Sequence, residues 1–195
     1  MLITTWTGGV AALQCALANM LGVAQVPDRT GLVATVPAGL LMCTGPQEYQ
    51  LLMSAPSPGF ARPPEGVQEN LGTARRFLVT TPGAGGASAL RRHVGADIGS
   101  VTDLGHARCR IRISGTHCCD TLSKLFALDQ REVAWPIGEL RLTGYHHVPC
   151  MAHRRAADDF DLYVFSTYAF DQLATLLDTA QEYGVELKLG AGSID

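Results

Sequence analysis

Charged residues are scarce in this sequence of 195 residues, and the positive ones do not outnumber the negative ones. Only 17% of the residues are charged, whereas an average globular chain has about 25%. The formal net charge of -3 excludes a strongly basic nucleic-acid-binding domain. The apolar fraction of 47% excludes a disordered chain of low hydrophobicity. The length and composition together predict one globular domain.

A long uninterrupted apolar run is also missing. The best candidate, residues 10–26, contains Gln14, Asn19 and Gln25 and is shorter than the roughly 20 residues that a membrane-spanning helix needs. The first positive residue is Arg29, so the positive start of a secretory signal peptide is lacking. We therefore expect a cytoplasmic protein without a targeting segment.

The six cysteines form no CxxC pair, and the adjacent Cys118 and Cys119 have a poor geometry for an ordinary disulfide. Cysteine packs as a small apolar residue when it is free and buried. This usage predicts free, buried thiols in a reducing compartment.

The charges are unevenly distributed along the chain. Residues 1–61 contain only Asp28, Arg29 and Glu48, while the other 134 residues carry 30 charges. A membrane or export segment is excluded by the polar residues named above. Two interpretations of this charge-poor third stay open: it is buried in its own core, or it contacts a partner, since interface cores are depleted of charge.

Hydrophobic periodicity and turn residues predict an α+β fold, with antiparallel sheets packed against helices. Helices are expected at about 9–21, 45–52, 87–94 and 168–183, and Gly22 is the expected C-cap of the first. A further helix is expected after Ser114, which is its expected N-cap, and it carries Leu122, Leu125 and Phe126. Within the last helix, Phe170 lies on the expected apolar face. Strands are expected at 32–36, 40–43, 76–81, 98–103, 107–113, 139–144, 148–154, 160–165 and 185–189.

Domain organisation follows from the same pattern. Residues 1–195 are expected to form a single domain, with two lobes at about 1–100 and 101–195 as an open alternative. Residues 54–74 are rich in proline and glycine and read as a loop.

Strand 107–113 alternates strictly between two kinds of side chain. Cys109, Ile111 and Ile113 share one face, and three arginines, 108, 110 and 112, share the other. Two interpretations of the arginine face stay open: a solvated strand face, or salt bridges to a partner.

Several clusters carry residue types found in functional sites. They are His146, His147, Cys150 and His153; His117, Cys118, Cys119 and Asp120; the glycine-rich residues 83–87; Arg91, Arg92 and His93; and Asp158, Asp159 and Asp161. The first cluster lies on a hairpin whose spacing does not make the ligands converge on a zinc ion. Cys118 shares a helical face with Leu122 and Leu125, which favours packing over a reactive thiolate. The glycine-rich segment is neither a dinucleotide fingerprint nor a P-loop, because the only lysines are Lys124 and Lys188.

These patterns include no GxSxG element and no calcium-loop spacing. We therefore expect no catalytic, cofactor-binding or metal-binding residue in this chain.

From residue 101 onward the sequence resembles a known family, the γ subunit of heterotetrameric sarcosine oxidases. The segments that carry the resemblance are VTDLGHAR (101–108), IRISG (111–115), LSK (122–124), LD (128–129), WPIG (135–138), FDLYV (160–164) and STYAF (166–170). The earlier CTGPQEY (43–49) resembles the family's G-P-x-E-W element, with Tyr49 in place of the usual tryptophan. The resemblance covers about half of the chain, from Asp103 to Tyr183.

This resemblance implies a fold similar to the folate-binding domains of glycine-cleavage aminomethyltransferases. It also implies that FAD, FMN, NAD, zinc and tetrahydrofolate belong to the partner chains of an αβγδ complex, and that the large α subunit is the main partner. The complex would demethylate sarcosine to glycine, with hydrogen peroxide and formaldehyde or methylene-tetrahydrofolate as further products.

One departure concerns the hairpin at residues 143–149, which contains no acidic residue where aminomethyltransferases carry a functional aspartate. A stand-alone folate-binding or aminomethyltransferase-like protein is the alternative, and it would require such an acid. Tyr145 and His146 remain candidates for ligand contact beside a purely structural hairpin. We expect the helix around Leu13 to Met20 or the loop at 55–64 to lie against a partner subunit.

Overall fold

The computed structural model describes residues 1–6, 8–53, 90–92, 94–105 and 107–188. Its strands are β1 Leu2–Thr5, β2 Val33–Val36, β3 Gly39–Gly45, β4 Glu48–Met53, β5 Gly99–Thr102, β6 Arg108–Ser114, β7 Leu140–Tyr145, β8 Val148–Ala156 and β9 Asp159–Phe165. Its helices are α1 Val10–Leu21, α2 Cys118–Leu125 and α3 Ala169–Ala180, with short 3-10 turns at Ser166–Tyr168 and Gln181–Tyr183. Within these ranges, no helix has the length and apolar character needed to cross a membrane.

The strands form two antiparallel sheets. The first has the order β2-β3-β4-β1-β5, and the second has the order β6-β9-β8-β7. This arrangement confirms the α+β fold class expected from the sequence. The division into two lobes at about 1–100 and 101–195 stays a prediction.

Both sheets are covered by helices on one face. Leu13, Leu17 and Leu21 of α1 pack in one apolar cluster with residues of the first sheet such as Ile3 and Leu51. A second cluster joins α2 and α3 to the second sheet. Each leucine that is removed from water in this way contributes about 1.5–3 kcal/mol.

The two sheets also pack against each other. Leu40 and Met42 of β3 lie in a third cluster with Leu140, Met151 and Tyr163 of the second sheet. The next residues along β3, Leu41 and Cys43, face α1 instead. Because successive strand residues point to opposite faces, β3 is packed on both sides, and the layers run helix, sheet, sheet, helices.

The predicted helix at 45–52 is wrong, because these residues end a hairpin. Pro46 and Gln47 form the turn, and Glu48–Met53 is strand β4. Tyr49 and Leu51 are buried on one face while their neighbours are less buried. Burial of every second residue identifies a strand. The sequence alone did not separate the two structures, because the adjacent Leu51 and Leu52 also fit a helix.

Two expected helix details differ from the structure. Ser114 does not cap α2, whose N-cap is His117, and no side-chain hydrogen bond caps the helix. Phe170 is 69% exposed, because the buried face of α3 is formed by Ala169, Gln172, Leu176 and Ala180. A buried glutamine on this face is invisible to an apolar pattern.

The expected strand at 185–189 is absent over residues 185–188, where Val185 and Leu187 are more than half exposed. Alternation of apolar and polar residues gives a segment two distinct faces, but a strand also needs a neighbouring strand as hydrogen-bonding partner. The predicted loop at 54–74, the strand at 76–81 and residue 189 lie outside the described residues, as does the start of the predicted helix at 87–94. Residues 90–92 and 94 of that helix do have helical backbone.

Candidate functional site

The four histidine and cysteine residues of the β7–β8 hairpin are spread over a turn and both faces of β8. His146 and His147 form the turn and are exposed. Cys150 packs in the cluster beneath α2 and α3. His153 is buried on the opposite face of β8, opposite Asp161 of β9. The structure thus places these four side chains in three different environments.

The turn of this hairpin has an unusual backbone. His146 and His147 have φ angles of 45° and 67°, in the left-handed region. Two-residue hairpins favour this conformation because it matches the twist of the strands. A side chain with a Cβ atom costs about 1–2 kcal/mol there, so the surrounding contacts must hold the turn.

Those contacts come from Tyr145, directly before the turn. Its side chain is fully buried, and its hydroxyl donates a hydrogen bond to the backbone carbonyl of Gln172 in α3. Burial raises the pKa of Tyr145. The hydroxyl that the sequence offered as a ligand contact is therefore used to join the hairpin to α3, whereas His146 stays at the surface.

A charged cluster lies on the face of the second sheet that is turned toward the first. Asp161 is completely buried there, with its carboxylate 4.0 Å from Arg110 Nε and 3.8 Å from Arg155 Nη1. The hydroxyl of Tyr163 donates to the same carboxylate at 3.4 Å. Burial raises the pKa of Asp161, and the arginines oppose this shift. The cluster is an internal ion group whose distances are long for strong hydrogen bonds.

His153 borders this cluster and is uncharged near neutral pH. Burial, together with the positive charge of Arg155, lowers its pKa to about 4. A buried neutral imidazole next to an arginine suits packing. Its Nδ1 has no hydrogen-bond partner among the described residues.

The other two arginines of β6 also contact β9 of the same chain. The guanidinium of Arg108 lies 4.3 Å from the centre of the Phe165 ring. Arg112 donates two hydrogen bonds to the carboxylate of Asp159, at 2.9 and 2.7 Å. The arginine row is therefore engaged within the chain, which is a third outcome beside the solvated face and the partner contact named from the sequence.

The HCCD segment begins α2. His117 stacks on Tyr183 with ring centres 4.6 Å apart, and its Nδ1 lies 3.0 Å from the Asp120 carboxylate. Cys118 is buried in one cluster with Leu122 and Leu125, as their helical spacing predicts. Burial raises the pKa of Cys118 to about 12. A thiol with so high a pKa is protonated at neutral pH, which opposes the reactive-thiolate interpretation.

The remaining sequence candidates are only partly described. The glycine-rich residues 83–87 and His93 lie outside the described residues. Arg91 donates through Nε to the carbonyl of Val101 at 3.1 Å and thus anchors its helical segment to β5, while Arg92 is exposed. Asp158 is in the turn before β9, and Asp159 begins that strand.

The outer surface of α1 is uncharged. None of its 12 residues is charged, and Ala11, Ala12, Cys15 and Asn19 are exposed on the side away from the core. Several large apolar side chains are also exposed elsewhere: Trp6, Val133, Ile137, Leu142, Tyr168, Phe170, Val185 and Leu187. Val133 is 91% exposed. The predicted contact loop at 55–64 lies outside the described residues.

Comparison with known proteins gives a result at the level of the fold. No family model and no curated protein sequence matches the chain. Among solved structures, a chain of the heterotetrameric sarcosine oxidase from Corynebacterium sp. U-96, in complex with pyrrole 2-carboxylate, is similar with a TM-score of 0.69 and 19% sequence identity. The alignment covers 96% of this chain and 82% of that one. The two chains share a fold, in agreement with the resemblance of residues 101–183.

Proposed function

We propose that this chain is the non-catalytic γ subunit of a heterotetrameric sarcosine oxidase that contains flavin and NAD. The complex would convert sarcosine to glycine by oxidative demethylation, with hydrogen peroxide and formaldehyde or methylene-tetrahydrofolate as products. FAD, FMN, NAD, zinc and tetrahydrofolate are assigned to the partner chains, and the large α subunit is assigned as the direct partner.

The observation that carries the proposal is the similarity of almost the whole chain to one chain of a heterotetrameric sarcosine oxidase. Because 96% of this chain covers 82% of the matched one, the two differ little in length. The match is therefore to a chain of similar length, which is consistent with a γ-type subunit. The sequence segments between residues 101 and 170 support the same assignment independently of the fold.

The environment of the titratable groups also supports a non-catalytic role. Asp161, His153 and Tyr145 are buried. The Asp161 carboxylate and the Tyr145 hydroxyl contact other elements of the same chain. The high pKa of Cys118 keeps its thiol protonated. A general acid or base has to reach a substrate, and these side chains are buried within the chain.

The uncharged outer face of α1 supports an interface with a large partner. An exposed helix usually carries charged residues opposite its apolar face, and α1 has none. Permanent complexes bury apolar surfaces that lack charge. We assign this face to the contact with the α subunit.

The test is co-expression of the tagged chain with the large candidate chains from its own genome. We expect the chain to aggregate when expressed alone and to become soluble in a yellow complex. That complex should produce hydrogen peroxide when sarcosine is added, and a matched preparation without this chain should lose yield or stability. A stable soluble monomer that binds no flavin-containing partner contradicts the proposal.

A titration of the isolated chain with tetrahydrofolate separates the proposal from the stand-alone alternative. Tight binding by the chain on its own would favour a folate-binding protein. Binding that occurs only in the complex fits the γ-subunit assignment.

A further inference from the structure

Three side chains that carry metal-ligand atoms meet at one end of the second sheet. Cys118 and Cys119 lie in the first turn of α2, and Asp158 lies in the turn between β8 and β9. Their two sulfur atoms and a carboxylate oxygen all lie within 4.8 Å of one another. We propose that these residues bind a thiophilic divalent cation of the zinc and cadmium class. The proposal does not depend on the proposed function.

Backbone contacts hold the two elements together. The Gly115 N–H donates to the carbonyl of Asp158 at 3.0 Å, and the Cys118 N–H donates to the carbonyl of Gly115 at 3.0 Å. The thiol of Cys119 donates to the carbonyl of Ala157 at 3.6 Å. Gly115 has a φ of 129°, a conformation that favours glycine. The loop before α2 is thus tied to the turn that carries the carboxylate.

The donor set determines the class of cation. Thiolates select zinc and related soft metals, whereas calcium and magnesium take oxygen ligands. Zinc bonds of about 2.0–2.3 Å place tetrahedral ligand atoms about 3.3–3.8 Å apart. The ligand atoms therefore have to approach one another by at most roughly 1.5 Å. The exposed side chain of Asp158 can bring its carboxylate closer to the sulfur atoms by a change of rotamer.

A fourth position would be filled by solvent. Asp158 is exposed, so the cluster opens to water on that side. The neighbouring His117 does not compete for this position, because its ring is engaged with Tyr183 and Asp120. Three protein ligands and one water are a known arrangement for zinc.

Binding is coupled to proton release. A divalent cation forms two metal–sulfur bonds, and the two thiol protons leave to solvent, with no change in the oxidation state of any atom. The protons released on metal binding can be counted as an independent readout.

The test is a titration of the full-length chain with CdCl₂ and ZnCl₂ in a buffer without thiols or chelators. If the chain needs its large partner to stay in solution, the complex is used, and the difference between wild type and variant is measured. Ultraviolet absorption reports cadmium–thiolate bonds, and a pH indicator counts the protons. We expect one cadmium ion per chain at this site, with two protons released.

The decisive variant is C119S, because Cys119 lies at the edge of the core cluster and is only partly buried, whereas Cys118 is buried within that cluster. We expect the affinity of C119S for cadmium to fall by more than about tenfold. Even the loss of a residue that only hydrogen-bonds to a metal ligand typically lowers metal affinity by about 10–100-fold. D158N should also weaken binding. The matched control is C15S, which removes an exposed cysteine on α1 and should bind like wild type.

The proposal is overturned if C119S and D158N bind cadmium as tightly as wild type, or if C15S abolishes the absorption. It is also overturned if wild type shows no cadmium–thiolate absorption. Circular dichroism of each variant shows whether the fold is intact, and the zinc titration repeats the comparison with a second metal if a variant is less stable.

Discussion

The hydroxyl of Tyr145 donates a hydrogen bond to the backbone carbonyl of Gln172, and the side-chain amide of Gln172 donates one back to the carbonyl of Tyr145 at 3.3 Å. This reciprocal pair joins the end of β7 to the first turn of α3. Both residues are buried, so water does not compete for either bond. Because the pair lies next to the strained turn, it helps to hold His146 and His147 in their left-handed conformation.

Replacing Tyr145 by phenylalanine should destabilise the chain by about 1–3 kcal/mol. The variant removes only the hydroxyl and leaves the buried carbonyl of Gln172 without that donor. Urea denaturation gives the free energy of unfolding. The control Y168F changes an exposed tyrosine and should stay within about 0.5 kcal/mol of wild type. Equal losses in the two variants would contradict the role of the Tyr145 hydroxyl.

Replacing His146 and His147 together by asparagine and glycine should stabilise the chain by about 1 kcal/mol. Among the described residues, these two are the non-glycine residues with positive φ, and Asn-Gly suits a hairpin turn of this kind. Thermal unfolding measures the gain. Glycine at Ala157, in the other hairpin turn of the sheet, relieves no such strain and should not stabilise. A lower melting temperature for H146N/H147G would show that the histidines stabilise the turn.

Acid should destabilise the chain through His153. Its folded pKa of about 4 lies below the value of about 6.5 for an unfolded histidine. The stability from the neutral imidazole is therefore present above about pH 6.5 and is lost as the pH falls toward 4, with a total of up to about 3 kcal/mol. H153N should flatten this part of a plot of unfolding free energy against pH. A slope in H153N equal to that of wild type would contradict this role of His153.

Replacing Asp161 by asparagine should cost about 3 kcal/mol, because the guanidinium groups of Arg110 and Arg155 then lose a fully buried carboxylate. The matched variant D159N removes the partner of the half-exposed Arg112 and should cost at most about 1 kcal/mol. Urea denaturation ranks the two. If D159N proves the more damaging, the charged cluster around Asp161 contributes less to stability than the Arg112–Asp159 pair.

The assignment of α1 to the partner interface predicts the effect of a charge there. A12R adds a guanidinium to the exposed, uncharged face of α1, and burial of that charge against the α subunit should reduce complex formation by more than about tenfold. The chain's own helical content should not change. A174R makes the same substitution at an exposed alanine of α3 and should leave the yield of complex unchanged. The opposite ranking would move the interface to α3.

Much of the fold was predictable from local patterns. The alternation of β6 and the polar turn between β8 and β9 identified three strands of the second sheet, and Gly22 marked the end of α1 with a φ of 66°. The predictions were wrong for residues whose structure depends on partners that are distant in the sequence. Tyr49 and Leu51 belong to a strand because β3 and β1 pair with it on either side. Val185 and Leu187 have no such neighbouring strand among the described residues.

The site residues show the same limit. The adjacent cysteines are visible in the sequence, but their proximity to Asp158 follows from the contact between the loop before α2 and the β8–β9 turn. Gln172 gave no signal at all, because a glutamine on an apolar face is usually a surface residue. The arginines of β6 were visible as a row, whereas their partners on β9 depend on the strand register.

The two-sided packing of β3 has a consequence for how this chain tolerates sequence change. A strand at the surface of a sheet can exchange every second residue for a polar one, but from Leu40 to Cys43 each position faces an apolar cluster. Random mutagenesis with selection for soluble complex should therefore recover few polar substitutions in this segment. Strand β6 offers the contrast, because only one of its faces lies in an apolar cluster.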